Sequence, residues 1–119
     1  MPMVSVIMPV FNAGDGSELE QAIQSILQQT FADFELIICD DASTDDTWEH
    51  LQEWAAMDSR IVLLQNAVNQ KAGAARNRCI NQSQGRFIAF MDADDISAPN
   101  RLQTQLEFLK NHPEIAFVG

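Results

Sequence analysis

Basic side chains are scarce in this 119-residue sequence: 7 Lys and Arg stand against 17 Asp and Glu, a formal net charge of -10. A protein that reads a phosphate backbone needs a basic footprint, so the balance argues against nucleic acid as a partner. Attraction to anionic lipid loses its electrostatic basis for the same reason. Cysteine is also sparse. Cys39 and Cys79 are the two present, each in an apolar context and neither in a C-x-x-C pair. They are expected to be reduced, buried thiols, not a zinc or redox site. No apolar run approaches the ~20 residues of a membrane helix. Met1-Pro2-Met3 leads at once into Val4–Val10, with no basic n-region and no cleavage site. The expectation is a soluble, cytoplasmic domain without a membrane segment in this chain; an anchor beyond Gly119 is left open.

Several nucleotide and cation signatures are missing too. There is no G-x-x-x-x-G-K-[ST], hence no P-loop, and no G-x-G-x-x-G follows the first apolar run. An EF-hand counted from Asp92 would put Ile96 at its fifth position and Ser97 at its sixth, where an oxygen ligand and Gly belong.

What is present is 46% apolar residues, enough for a packed core in a single domain of ordinary size. Two periods alternate along the chain. Val4–Met8 reads as a strand ended by Pro9. A turn cluster follows at 12–16, and Ser17 to Glu20 has the form of a capping box. Leu19, Ile23, Ile26 and Leu27 then line one face of a helix. Phe34–Cys39 is a second strand. Ser43 or Thr44 is placed to cap a helix whose inner face is Trp48, Leu51 and Ala55. Ile61–Leu64 is a third strand, and an Ala-rich helix spans Ala72 to Gln82. Gly85 breaks it before a fourth strand, Arg86–Met91. Pro99 suits the first turn of a last helix with Leu102, Leu106 and Leu109 inward. Asn111-His112-Pro113 stops that helix, and Ile115–Val118 is a fifth strand. Such alternation predicts an α/β fold, a Rossmann-like three-layer α/β/α sandwich with a mostly parallel sheet.

In open parallel sheets ligands bind beyond the carboxyl ends of the strands, where strand order reverses. The unusual residues gather there: Pro9, Phe11 and Asn12 after strand one, Asp40 and Asp41 after strand two, Asp92, Asp94 and Asp95 after strand four. Asp92 and Asp94 are two apart, so in an extended segment they point the same way. Such a pair can hold a hard divalent cation, Mn2+ or Mg2+, whose shell a ligand's phosphates would help complete. Asp-rich loops also cap helices and solvate turns, and Asp95 can serve to start the last helix. Arg76, near the start of its helix, and Lys71 before it suit an anion; an Arg–carboxylate pair would use Arg76 as well. His50 and His112 have no partner pattern and are expected at the surface.

The segments VSVIMPVFNAG, SILQQTFADFELIICDDASTDDT, NQKAGAARNRCINQSQGRFIAFMDADD and HPEIAFVG, in this order, resemble the inverting glycosyltransferases of family 2, with the GT-A fold. The resemblance covers essentially the whole chain. It implies a nucleotide-binding half of a GT-A fold and a nucleotide-sugar donor, a UDP-sugar. Pro9, Phe11 and Asn12 would border the nucleotide, and Asp40 or Asp41 would accept a hydrogen bond from the base. Arg76 would lie near the nucleotide. Asp92 and Asp94 match the Asp-x-Asp motif, Asp94 as metal ligand and Asp92 nearer the ribose or sugar. Asp95 matches a third acid. Lys71 stands where a glycine is frequent, and Cys79 departs from Arg-Asn-x-Gly. The resemblance also implies that residues 1–119 are a truncated domain. The site for a saccharide or lipid-linked acceptor, and a catalytic base (Asp or Glu), are then expected beyond Gly119, and no transfer is expected from this chain alone.

Two other readings bear on the same residues. A nucleotidyltransferase would carry basic residues in the Gly-rich loop after strand one, where this chain has PVFNAGDGS. A phosphoacceptor signalling domain would need an Asp after strand three, where Gln65 and Asn66 stand. A non-catalytic nucleotide-binding role stays open.

Overall fold

The structure, a computed structural model, describes residues 2–111 and the short strand Phe117–Val118. The sequence-derived stop at His112-Pro113, the placing of His112 and the start of the fifth strand at Ile115 lie outside the described residues. The element order is β1 (Val4–Val10), α1 (Ser17–Leu27), β2 (Phe34–Asp40), α2 (Thr47–Met57), β3 (Ile61–Gln65), α3 (Lys71–Gln82), β4 (Phe87–Phe90), α4 (Arg101–Asn111) and β5 (Phe117–Val118). The strands form one sheet in the order β3-β2-β1-β4-β5, and every pairing is parallel. The expected three-layer parallel α/β architecture is therefore adopted.

Both faces of the sheet are covered, which explains why β1 is apolar throughout and not alternating. Val6, Met8 and Val10 pack with Leu19, Ile23 and Ile26 of α1, Leu51 of α2 and Leu102 of α4. Ile7, Ile37 and Cys39 face the other way, onto Ala75 and Cys79 of α3. Cys39 and Cys79 are free and buried, as expected. The hydrogen bond with Cys39, then burial, pushes the Cys79 thiol up and keeps it protonated.

Two contacts fix where β4 enters. Ser5 Oγ, buried inside β1, donates to Glu35 Oε2 and accepts from the Gly85 amide. A Cβ on Gly85 would lie 2.5 Å from the Ser5 nitrogen, so glycine there permits a close backbone approach.

Pro9 does not end β1. The strand runs on to Val10, paired with Asp40 of β2, while the ladder to β4 stops at Ile7–Phe90. Ile7 presents its carbonyl to Met91 of the β4 segment, and Val10 presents its carbonyl to Asp41. Backbone groups alternate sides along a strand, so the missing Pro9 donor faces β4, where the ladder is already over. Proline is tolerated at such a position. β1 and β4 part there, at the switch point of the sheet.

Three helix starts differ from the sequence-derived ones. α1 begins after Gly16, which sits at φ 84°, and Asp15 Oδ1 accepts from the Ser17 amide; no Ser17–Glu20 capping box forms. Gly16 leaves room for the half-buried His50 ring, which would lie 3.1 Å from a Cβ there; His50 is thus not a plain surface residue. α2 begins at Thr47, with Asp45 accepting from its amide. Ser43 and Thr44 bond to Asn12 instead. Pro99 lies ahead of α4, and the carbonyls of Ala98 and Pro99 accept from Gln29 and Thr30 at the end of α1. Leu102, Leu106 and Leu109 are buried as expected.

Candidate active site

The loop after β1 is tied to the loop after β2 by side-chain bonds spanning more than thirty residues of sequence. The Asn12 amide donates to Ser43 Oγ (2.8 Å) and Asn12 Oδ1 accepts from the Thr44 amide (2.8 Å). The Ala13 amide donates to Thr47 Oγ1 (2.9 Å) and the Gly14 amide to Asp45 Oδ2 (3.0 Å). Asn12 adopts φ 48°, a left-handed conformation that Asn tolerates better than most residues. The Thr47 hydroxyl and amide, with the Gly14 amide, hold the Asp45 carboxyl below the usual range.

Asp40 and Asp41 end β2 and differ in what they face. Asp40 is fully buried; Oδ1 accepts from the Ser43 amide and hydroxyl, and among the described residues Oδ2 has no partner. Asp41 is 3% exposed and lines a cavity of about 260 Å3 with Pro9, Val10, Phe11, Asn69, Lys71 and Ala72. Its Oδ1 accepts from the Asn66 side chain (2.9 Å) and the Gln70 amide (2.8 Å). Among the described residues nothing bonds to its other oxygen. Arg78 in turn donates to Asn66 Oδ1 and to the Gln65 carbonyl, both at 2.7 Å.

A second, larger cavity of about 610 Å3 opens on the other side of Pro9 and Phe11. Asn12, Asp15, Glu18 and Asp94 contribute to its wall. Phe11, half exposed, borders both cavities.

Asp92, Asp94 and Asp95 follow β4 and are all exposed. They are not on an extended segment. The Asp95 amide donates to the Asp92 carbonyl (3.1 Å), closing a turn. That turn brings one oxygen from each carboxylate within 4.8 Å of the others. An all-oxygen, all-anionic donor set of this kind fits a hard divalent cation. The turn is braced from below: buried Ser97 accepts from Arg101, which also donates to the Phe90 carbonyl (2.5 Å).

Of the residues singled out in sequence, the structure brings Pro9, Phe11, Asn12, Asp41 and Asp94 to the two adjoining cavities. Asp92 and Asp95 complete the carboxylate turn. Arg76 lines neither cavity; it is half-buried, its guanidinium 5.3 Å from the centre of the Phe90 ring. Asp40 points into the protein. Thr47, Asp45, Asn66, Asn69 and Arg78 were missed. A sequence shows them as ordinary loop and helix polar residues, and no spacing rule pairs them with partners so far away.

A family model for glycosyl transferase family 2 matches residues 5–119. The chain belongs to glycosyl transferase family 2. Among its family relatives is the UDP-Glc:alpha-D-GlcNAc-diphosphoundecaprenol beta-1,3-glucosyltransferase WfgD of Escherichia coli. It is 44% identical over 111 residues, which is 92% of this chain and 42% of that protein. The crystal structure of S. aureus TarS 1-349 in complex with UDP superposes with a TM-score of 0.82 at 28% identity, over 92% of this chain and 32% of that one. The mannosyltransferase PcManGT from Pyrobaculum calidifontis, in complex with GDP-Man and Mn2+, superposes with a TM-score of 0.82 at 25% identity, over 91% of this chain and 32% of that one. The parallel α/β fold is thus that of GT-A glycosyltransferases. The chain spans about two fifths of the length of the curated family relatives it matches. No helix among the described residues is long and apolar enough to cross a membrane.

Proposed function

We propose that this chain is the donor-binding part of a metal-dependent, inverting glycosyltransferase that uses a UDP-sugar. One observation carries the reading: a base-sized cavity on Asp41 adjoins, across Pro9 and Phe11, a larger cleft walled by Asp94. A nucleotide laid over Phe11 would place its base on one side and its diphosphate on the other. The UDP and GDP-Man complexes of the two structural neighbours support this class of ligand.

Asp41 takes the base. Its Oδ1 is committed to Asn66 and Gln70, so the second oxygen is left to accept an imino N–H. Asp40 serves behind it, fixing Ser43 and through Ser43 the Asn12 loop. Asp94 and Asp92, with Asp95 beside them, would hold the divalent cation, Mn2+ or Mg2+. When bound, that cation supplies Lewis-acid stabilisation of the departing diphosphate. Arg76, on the Phe90 ring, adds positive charge behind the end of β4 and not inside either cavity. The site for the acceptor, a saccharide or lipid-linked saccharide, and the carboxylate base that deprotonates its hydroxyl belong in this proposal to residues other than these 119. The 119-residue chain is then expected to bind donor without transferring the sugar. A cytoplasmic location completes the proposal, and cell fractionation checks it.

Isothermal titration with UDP, with and without Mn2+, tests the core of the reading. Binding strengthened by Mn2+, lost in Asp41→Ala and made Mn2+-independent in Asp94→Ala, is the expected result. A folded protein that binds UDP in neither condition would overturn it.

A further inference from the structure

α4 starts on an unexpected residue. A helix N-terminus favours acidic side chains and disfavours cations, yet Arg101 is the first residue of α4 and no acid stands in its first turn. The half-buried Arg101 side chain reaches back to the end of β4. There Nη2 donates to the Phe90 carbonyl (2.5 Å) and Nη1 to Ser97 Oγ (3.0 Å). Phe90 is the last residue of β4, and Ser97 is the first buried residue after the three carboxylates. One side chain thus joins both ends of the segment Met91–Ile96, which carries Asp92, Asp94 and Asp95. Each end is also tied to the core on its own: the Met91 amide donates to the Ile7 carbonyl (3.0 Å) and the Ser97 amide to Ser25 Oγ of α1 (3.0 Å). The carboxylates themselves are exposed, and among the described residues Arg101 forms no ion pair with them. Arg101 lines neither the cavity of Asp41 nor the cleft of Asp94. With Asp95 it walls a third cavity, of about 580 Å3.

We infer that Arg101 is a positioning residue for the donor's divalent cation, fixing both ends of the carboxylate turn from outside the ion's own ligand set. The inference rests on the reading of Asp92 and Asp94 as cation ligands given above and adds a residue to it. Two opposed effects follow from the geometry. With its ends fixed, the short segment has less conformational freedom to lose when an ion gathers its carboxylates. The same guanidinium is a fixed positive charge: burial pushes its pKa down, and the charge of Asp95 opposes that shift. Charge alone would repel a second cation. A planar fork reaches two acceptors at fixed angles, which an ammonium on a flexible stem does not. Bridge and charge are therefore separable. Lysine keeps the charge and gives up the fork; methionine gives up both.

The test is titration of the purified chain with UDP, with and without Mn2+, in wild type, Arg101→Lys, Arg101→Met, Ser97→Ala and Asp94→Ala. Mn2+ should strengthen UDP binding by wild type. Both Arg101 variants should lose about tenfold of that enhancement, the scale of an outer partner to a metal site. Their Mn2+-free UDP binding should match wild type, a split that a general loss of structure would not produce. Ser97→Ala removes one arm of the bridge and keeps the start of α4. It should lose about threefold, the scale of one hydrogen bond, and it decides the matter if an Arg101 variant does not fold. The Asp95 amide, which donates to the Asp92 carbonyl, should exchange faster in all three variants with no ion present. An Arg101→Lys protein indistinguishable from wild type makes charge the whole effect and overturns the inference. Undiminished enhancement in the Arg101 and Ser97 variants overturns it as well; if Asp94→Ala abolishes the enhancement in that case, the cation reading survives. No Mn2+ effect in wild type removes both.

Discussion

On the β1–β2 side of the rim, Asp41 is almost fully buried and holds Asn66 and Gln70, while next to it Asp40 holds Ser43 and a separate lattice joins Asn12 to Ser43 and Asp45 to Thr47. On the β4 side, Asp92, Asp94 and Asp95 are exposed, and no described side chain hydrogen-bonds to their carboxylates. The contrast is between a surface built in advance and one left to be completed. Buried polar groups need partners from the protein, because water cannot reach them. Exposed carboxylates have water, and three of them so close together repel until a cation arrives. The small cavity is therefore preorganised for shape and hydrogen bonding. The carboxylate turn supplies charge.

Substitutions on the two sides should behave differently, and Asp41→Ala is expected to do the most. It strands the buried Asn66 amide, at about 1–3 kcal/mol for one buried donor left unpaired, and releases the amide of the exposed Gln70. Thermal unfolding and UDP titration should both register the loss; a variant as stable as wild type would erase the contrast. Asp94→Ala comes next. Its stability should stay within about 0.5 kcal/mol of wild type. The enhancement of UDP binding by Mn2+ should drop by about tenfold or more, roughly 1.4 kcal/mol. Substantial destabilisation would show that the turn is prebuilt after all. Thr47→Val removes the hydroxyl between Asp45 and the Ala13 amide. About 1 kcal/mol of stability should go with it, and hydrogen exchange at Ala13 should quicken while β4 amides stay protected.

The smallest effect is in acid. Thr47 and Gly14 hold the Asp45 carboxyl below its ordinary 3.8. A carboxyl depressed in the folded state stabilises above its unfolded pKa, and that contribution disappears as pH falls through the folded value. Asp45→Asn should therefore flatten the acid limb of stability below about pH 4 and leave neutral behaviour alone, as followed by thermal unfolding across pH. An unchanged acid limb would detach Asp45 from the lattice.

Much of this was legible in the order of residues. The apolar runs at Val4, Phe34, Ile61 and Phe87 announced strands buried on both faces, and Leu102, Leu106 and Leu109 announced the inner face of α4. The rim was legible as well, because polar residues follow β1, β2 and β4 at the ends of apolar runs. The capping box at Ser17 was a false local signal. Gly16 in the left-handed region and the His50 ring beside it set that helix start, and both act through tertiary contact. Ser43 and Thr44 misled similarly: a hydroxyl near a helix start is a fair cap, but Asn12 had a better use for both.

Asp40 and Asp41 mark the boundary between the two kinds of information. The sequence by itself determined the α/β alternation, the membership in glycosyl transferase family 2, and that carboxylates would stand at the rim. Period and composition encode which face of an element is apolar, and a strand's end is written where its apolar run stops. Only the tertiary structure decided that Asp40 turns inward while Asp41 lines the cavity, and that a turn, not strand parity, gathers Asp92, Asp94 and Asp95. The partners that decide these orientations lie tens of residues away, or depend on the path of the backbone. Neighbours in the chain do not name partners in space.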